Sequence, residues 1–322
     1  MTRPITTVDA LIAAGLAPEA ARPALDQVAK RYAMALTPAV VGLIGTPDDP
    51  VGRQYVPDAA ELVTQPWEQD DPTADAAFSP VKGVVHRYPD RALLKPLLAC
   101  PVYCRFCFRR EHVGPDGGLL SAAELEAALA WFARTPAVRE AILTGGDPLM
   151  LSPRRLGGLL ARLAALEHIE LLRLHTRVPV AAPGLVTEAL LGALPRHKPV
   201  YVCVHANHAR EFSAEAMRAL AALQGAGVVL LGQSVLLAGV NDSVAALEDL
   251  FRAMLRARVK PYYLHQLDAA PGTARFAVPV ARGRALLREL RGRVSGLAWP
   301  TYVQESPGGG GKRPLGPAWE VS

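Results

Sequence analysis

Cys100, Cys104 and Cys107 lie in the string ACPVYCRFCFRR, three thiols within eight residues at the spacing CxxxCxxC. Three thiolates bind three irons of a four-iron cluster and leave one iron without a protein ligand. That iron can take the amino and carboxylate groups of a small molecule, which a cluster held by four cysteines cannot do. Zinc or plain burial are the competing readings. A structural zinc ion wants four ligands, and the chain offers no further CxxC or HxxxH partner. The spacing predicts a [4Fe-4S] cluster with an open iron. Four cysteines are too few to staple a secreted chain of 322 residues, so the compartment is expected to be reducing. Cys203, inside the apolar run PVYVCVH, reads as a core residue.

Other residues could do chemistry. Gly145 and Gly146 in LTGGDPLM let a backbone approach a ligand closely, and Asp147 offers a carboxylate; a plain Gly-Asp-Pro turn is the alternative. Lys312 follows the glycines Gly308 to Gly311, which form either a flexible end or a bare backbone against a cofactor. In HRYPDR, Arg87 and Arg91 suit a phosphate and Tyr88 an aromatic ring, or the segment is an exposed basic turn. His205 and Gln233 are polar residues in apolar runs, Asp268 either binds a ligand or caps a turn, and Glu305 either binds a ligand or is solvated.

The elements that position these residues are legible as alternating patterns. The apolar runs ALLKPLLAC, EAILTGGD, ELLRLHT, PVYVCVH, GVVLLGQSVLL and KPYYLHQLD read as strands. Helices start between them at Ser121 with Glu124 as a capping box, at Ser152 before Pro153, at Ser213, and at Asp242 or Ser243. Six strand-helix units predict an α/β fold, a parallel sheet curled into a partial (β/α)6 barrel, with the chemistry on loops at the strands' C-terminal ends. Residues 1–80 read as a helical and irregular arm, with helical patterns at Val8 to Ala14 and Pro23 to Ala35 and then a Pro/Asp-rich stretch. Residues 81–298 read as the barrel and 299–322 as a C-terminal segment carrying Lys312.

Composition narrows the function classes. The net charge of +5 divides into −6 for residues 1–80 and +11 for the remainder. The arginines are scattered over helices and aromatics make up 6%, so a pocket for small anions is favoured over nucleic acid. No apolar run reaches the roughly 18 to 20 residues of a membrane span, and the first residues lack the pattern of a secretory signal. The expectation is a cytoplasmic enzyme with neither nucleic acid nor membrane as partner.

The cysteine motif resembles the radical S-adenosylmethionine superfamily. HRYPDRALL, CPVYCRFCFRR, LTGGDPLM, VHANHA, QSVLLAGVNDS, PYYLHQLD and SPGGGGKRP, in this order, resemble the lysine 2,3-aminomutase family over about residues 79–314. Its shorter branch makes β-lysine for modification of elongation factor P. The resemblance implies a radical-type barrel with a [4Fe-4S] cluster, S-adenosylmethionine and pyridoxal 5'-phosphate, and an isomerase converting free L-lysine to β-lysine. Lys312 matches the lysine that carries pyridoxal phosphate, and Arg87, Tyr88 and Arg91 the segment holding it. Gly145, Gly146, Asp147, His205 and Gln233 match positions at S-adenosylmethionine or lining the site. Arg109 matches the reader of the substrate α-carboxylate, and Asp268 and Glu305 the acids around its distal ammonium. Glu305 stands where the family usually has Asp. The implied partners are free lysine and a one-electron reductant of flavodoxin or ferredoxin type, with room for a homo-oligomer. The alternatives are an aminomutase for arginine or ornithine, or a non-catalytic iron-sulfur module.

Overall fold

The computed structural model describes residues 3–115, 117–306 and 310–316. Its nine-stranded sheet runs in chain order: β1 (Val84–Tyr88), β2 (Arg91–Leu97), β3 (Glu140–Gly145), β4 (Leu171–Thr176), β5 (Val200–His205), β6 (Val229–Val235), β7 (Lys260–His265), β8 (Thr301–Ser306) and β9 (Gly311–Pro314). The six expected runs are β2 to β7, each parallel to the next and each followed by helix, which is the (β/α)6 arrangement. The sheet extends beyond them. β8 continues the parallel order, and β1 and β9 close the two edges as antiparallel hairpin strands.

Four helix starts in the barrel follow from the expected caps. Ser121 and Glu124 satisfy each other's backbone N–H in a capping box. Ser152, Ser213 and Ser243 each accept from an N–H in the first turn, whereas Asp242 instead accepts from Gly239. The helices' apolar faces and the strands' inner residues form one core, with Leu94, Phe132, Leu143, Leu160, Leu174 and Val202 fully buried. Such Leu/Val-rich strands are what a parallel sheet covered on its outer face requires.

The arm is more ordered than expected. Its second helix runs Arg22–Arg31 rather than to Ala35, because Tyr32 turns extended and sends Leu36 to pair with Ile5. Ile5, Leu11, Leu25, Leu36, Val40 and Tyr55 build a satellite core that also holds Val102 of the cysteine loop and Ala181 beyond β4. The Pro/Asp-rich stretch supplies a buried anion. Glu61, fully enclosed, pairs with Arg105 and Arg110 of the cysteine loop and with Arg275. Burial works against its charge, but the arginines outweigh that and hold its carboxyl below the usual range. Among the described residues no helix is long and apolar enough to cross a membrane.

Candidate active site

The cysteine loop springs from the end of β2, and the two glycines at the end of β3 are what allow it to sit there. Gly145 adopts φ +115°, and a Cβ on it would lie 2.6 Å from the Leu97 carbonyl oxygen; one on Gly146 would collide with the Ala99 carbonyl. The N–H groups of Gly146 and Asp147 donate to the Leu97 and Ala99 carbonyls, both at 2.9 Å. The close approach expected of these glycines is thus made to the chain's own backbone just before Cys100. Asp147 is enclosed and fully engaged. Its carboxylate accepts from the Thr176 hydroxyl and from the N–H groups of Leu149, Arg177 and Val178, although burial still raises its pKa.

Cys100, Cys104 and Cys107 line one cavity with Tyr32, Tyr103 and Arg110. None is in a disulfide, and burial pushes all three thiols up, with charge on a neighbouring thiol adding to the rise at Cys100 and Cys107 and the Arg177 guanidinium opposing it at Cys104. Among the described residues no three His, Cys, Asp or Glu side chains are gathered tightly enough for a single ion. Arg177, just after β4, aims Nη1 at Cys104 Sγ at 2.9 Å while Glu211 at 2.6 Å and Gln54 of the arm hold its other nitrogen. Three free thiols on one cavity, with an N–H already directed at a sulfur, fit a cluster bound through three cysteines. Cys203 is fully buried in β5, as expected of a core residue.

The barrel interior carries His175, His205 and His265 from the ends of β4, β5 and β7. Burial lowers all three below the usual imidazole range, with Arg177 adding to the effect at His205 and Lys312 at His265, which falls to about 3. The Nε2 atoms of His175 and His205 are buried without a hydrogen-bond partner among the described residues, so each is available to a bound molecule. Gln233 pairs with His205 across β5 and β6, half-buried on the same wall.

At the sheet's two edges the expected cofactor residues converge. Glu305 of β8 forms ion pairs with Arg87 of β1 and, at 2.9 Å, with Lys312 of β9. The Lys312 N–H donates to the Tyr88 hydroxyl, and the Arg91 guanidinium lies 3.7 Å from the centre of the Tyr88 ring. These residues line a cavity with Arg173, His175, Tyr262 and Tyr263. Arginines for a phosphate, a tyrosine face for a ring and an amine on an adjoining strand are the donor set pyridoxal phosphate requires. Gly308 and Gly309 lie outside the described residues.

Asp268, after β7, has a carboxyl raised to about 7, first by burial and then by the nearby negative charge of Glu305, while Lys312, Arg109 and Arg87 pull the other way. Arg109 does not stand free. Its guanidinium is held by Asp75, a residue of the arm that sequence reasoning passed over. Arg173, Arg177 and His175 were also missed; for His175 and Arg177 a place at or just after the end of β4 was the available signal, whereas Arg173 lies in mid-strand.

Cysteine loop and barrel together define a radical S-adenosylmethionine enzyme, and the family model described as the Radical SAM superfamily matches residues 94–251. The L-lysine 2,3-aminomutase of Acetoanaerobium sticklandii is 40% identical over 90% of this chain and 70% of its own length, and that of Clostridium subterminale 39% over 92% and 72%. The glutamate 2,3-aminomutase of Clostridioides difficile is 34% identical over 92% of this chain and 71% of its own. The chain belongs to the lysine 2,3-aminomutase family. It is therefore an isomerase of the aminomutase class, and that membership implies a [4Fe-4S] cluster, S-adenosylmethionine and pyridoxal phosphate as its cofactors.

Proposed function

We propose that the protein moves the α-amino group of free L-lysine to the β carbon, yielding β-lysine. The observation that carries this reading is the grouping of Lys312, Glu305 and Asp268 within reach of Arg109, two acids and a guanidinium around one amine. A lysine molecule presents the complementary set, a distal ammonium and an α-carboxylate.

The cluster and S-adenosylmethionine, when bound, supply a carbon radical able to remove a hydrogen atom, and pyridoxal phosphate supplies a π system across which an amino group can migrate. Cys100, Cys104 and Cys107 would hold the cluster, with Arg177 steadying Cys104. His205 and Gln233, with the loop of Gly145, Gly146 and Asp147, would wall the S-adenosylmethionine site. Lys312 would carry pyridoxal phosphate, Tyr88 would face its ring, and Arg87 and Arg91 would compensate its phosphate. Arg109 binds the α-carboxylate, since a guanidinium meets both oxygens at once. Asp268 and Glu305 hold the distal ammonium, and the enclosing barrel keeps water from the reacting carbons. An electron enters from a flavodoxin- or ferredoxin-type donor, and the reaction takes place in the cytoplasm.

The test is anaerobic incubation of the reconstituted protein with S-adenosylmethionine, a reductant and separate samples of lysine, arginine, ornithine and glutamate, followed by chiral analysis of products. β-Lysine from lysine alone is expected. Turnover of another amino acid in its place would overturn the substrate assignment.

A further inference from the structure

Arg109 reaches the barrel interior already gripped by a residue from outside the barrel. Both Nε and Nη2 lie 3.0 Å from one oxygen of Asp75, so a single carboxylate holds one edge of the guanidinium. Asp75 belongs to the arm, 34 residues earlier in the chain. Its other contacts show that it is a fixed point. Lys95 of β2 donates to the same oxygen at 3.1 Å, Thr73 donates to the other at 3.2 Å, and Arg87 lies 3.5 Å from it. Burial alone would raise this carboxyl, but the charges of Arg109 and Lys95 outweigh it and hold it well below the usual carboxylate range.

The backbone is shaped to deliver it. Asp71 accepts from the N–H groups of Asp75 and Ala76, both at 2.8 Å, closing a tight turn in which Ala74 takes φ +53°. A non-glycine residue in that region is uncommon and persists where surrounding bonds fix it. The turn points the Asp75 side chain inward, where it and Arg109 are both largely shielded from water.

A guanidinium held along its Nε–Nη2 edge still offers its other edge, Nη1 with the second hydrogen of Nη2. Among the described residues Arg109 Nη1 has no hydrogen-bond partner. We propose that Asp75 is a positioning residue for substrate recognition: it fixes one edge of Arg109 so that the other is presented to the substrate α-carboxylate. This rests on the reading of Arg109 given above and extends it to the arm, which becomes a wall of the substrate site. Asp75 also balances Arg87 and Lys95, so the carboxylate is bound by an oriented donor rather than drawn to a diffuse positive field.

The experiment measures binding by calorimetry to the holoenzyme without reductant, so that no turnover occurs, using lysine and 1,5-diaminopentane, which lacks the α-carboxylate. Wild type is expected to prefer lysine strongly; the absence of a preference would overturn the assignment of Arg109 and this inference with it. Given that preference, Asp75→Asn should weaken lysine binding by about tenfold or more and the diamine by less than about threefold. An unchanged ratio of the two affinities, or tighter lysine binding, would overturn the role of Asp75 and leave Arg109 standing. If Asp75→Asn fails to fold, Asp75→Glu keeps the three cations balanced while moving the guanidinium by one methylene. The ratio should then fall as well, and a wild-type ratio in that variant would refute the proposal.

Discussion

Glu305 divides its carboxylate between two cations on different strands, one oxygen meeting Arg87 of β1 and the other lying 2.9 Å from the Lys312 amine on β9. The acid assigned to the substrate's ammonium is therefore also the partner of the amine assigned to the cofactor. Lys312→Ala should abolish the absorption of bound pyridoxal phosphate, whereas Lys82→Ala, whose amine pairs with Glu124 at the surface, should keep it. Retention of the band in Lys312→Ala would refute the assignment.

Asp268 gives a pH dependence of definite sign. Its carboxyl ionises near 7 in the folded chain and near 3.8 in a free chain, so the folded state holds the extra proton between those values. Stability is lost as pH rises from about 4 to 7 and the loss is constant above that. Asp268→Asn should thus gain stability over wild type at pH 8 and gain none at pH 4, as read by denaturant midpoints. Lysine binding runs the other way, because an ammonium needs the ionised acid. Wild-type affinity should climb through pH 7, and the variant should lose both the climb and roughly 2 to 5 kcal/mol of binding.

Replacing Cys100, Cys104 or Cys107 by Ala should remove most of the iron and all turnover. Cys203→Ala should keep the cluster and cost only about 1 to 2 kcal/mol of stability through lost packing. Iron analysis beside a denaturation curve decides between them, and loss of iron in Cys203→Ala would contradict its place in the core.

Gly146→Ala tests whether the turn after β3 seats the cysteine loop. Its added methyl would strike the Ala99 carbonyl, one residue before Cys100, with no flexible side chain to give way. We expect reduced iron uptake although no ligand is touched, and near-normal iron content would show that the loop accommodates the methyl.

The parallel barrel was legible because each of β2 to β7 carries a short apolar run and four of the helices between them announce their starts with a serine. Residues whose roles depend on a partner close in sequence could be read, as with Ser121 and Glu124. β1 and β9 could not, since edge strands of mixed polarity such as VVHRY and GKRP have no periodicity to betray them. Asp75 was illegible for a different reason. In DDPTADAAF it is one acid among three, and only the turn made by Asp71 and the arrival of Arg109 from 34 residues away single it out. Asp147 looked available and is instead occupied by groups from the far side of the next helical connection.

From β1 to β9 the sheet is an incomplete ring whose ends are linked by Arg87 to Glu305 and Tyr88 to Lys312, side chain to side chain and side chain to backbone, with no ladder between them among the described residues. A ladder comes apart as a unit, but isolated contacts break one at a time. This seam is therefore the stretch of wall that yields most readily. Of the groups that fasten it, Glu305 is also the acid assigned to the incoming ammonium, so arrival of the guest and loosening of this latch draw on the same carboxylate.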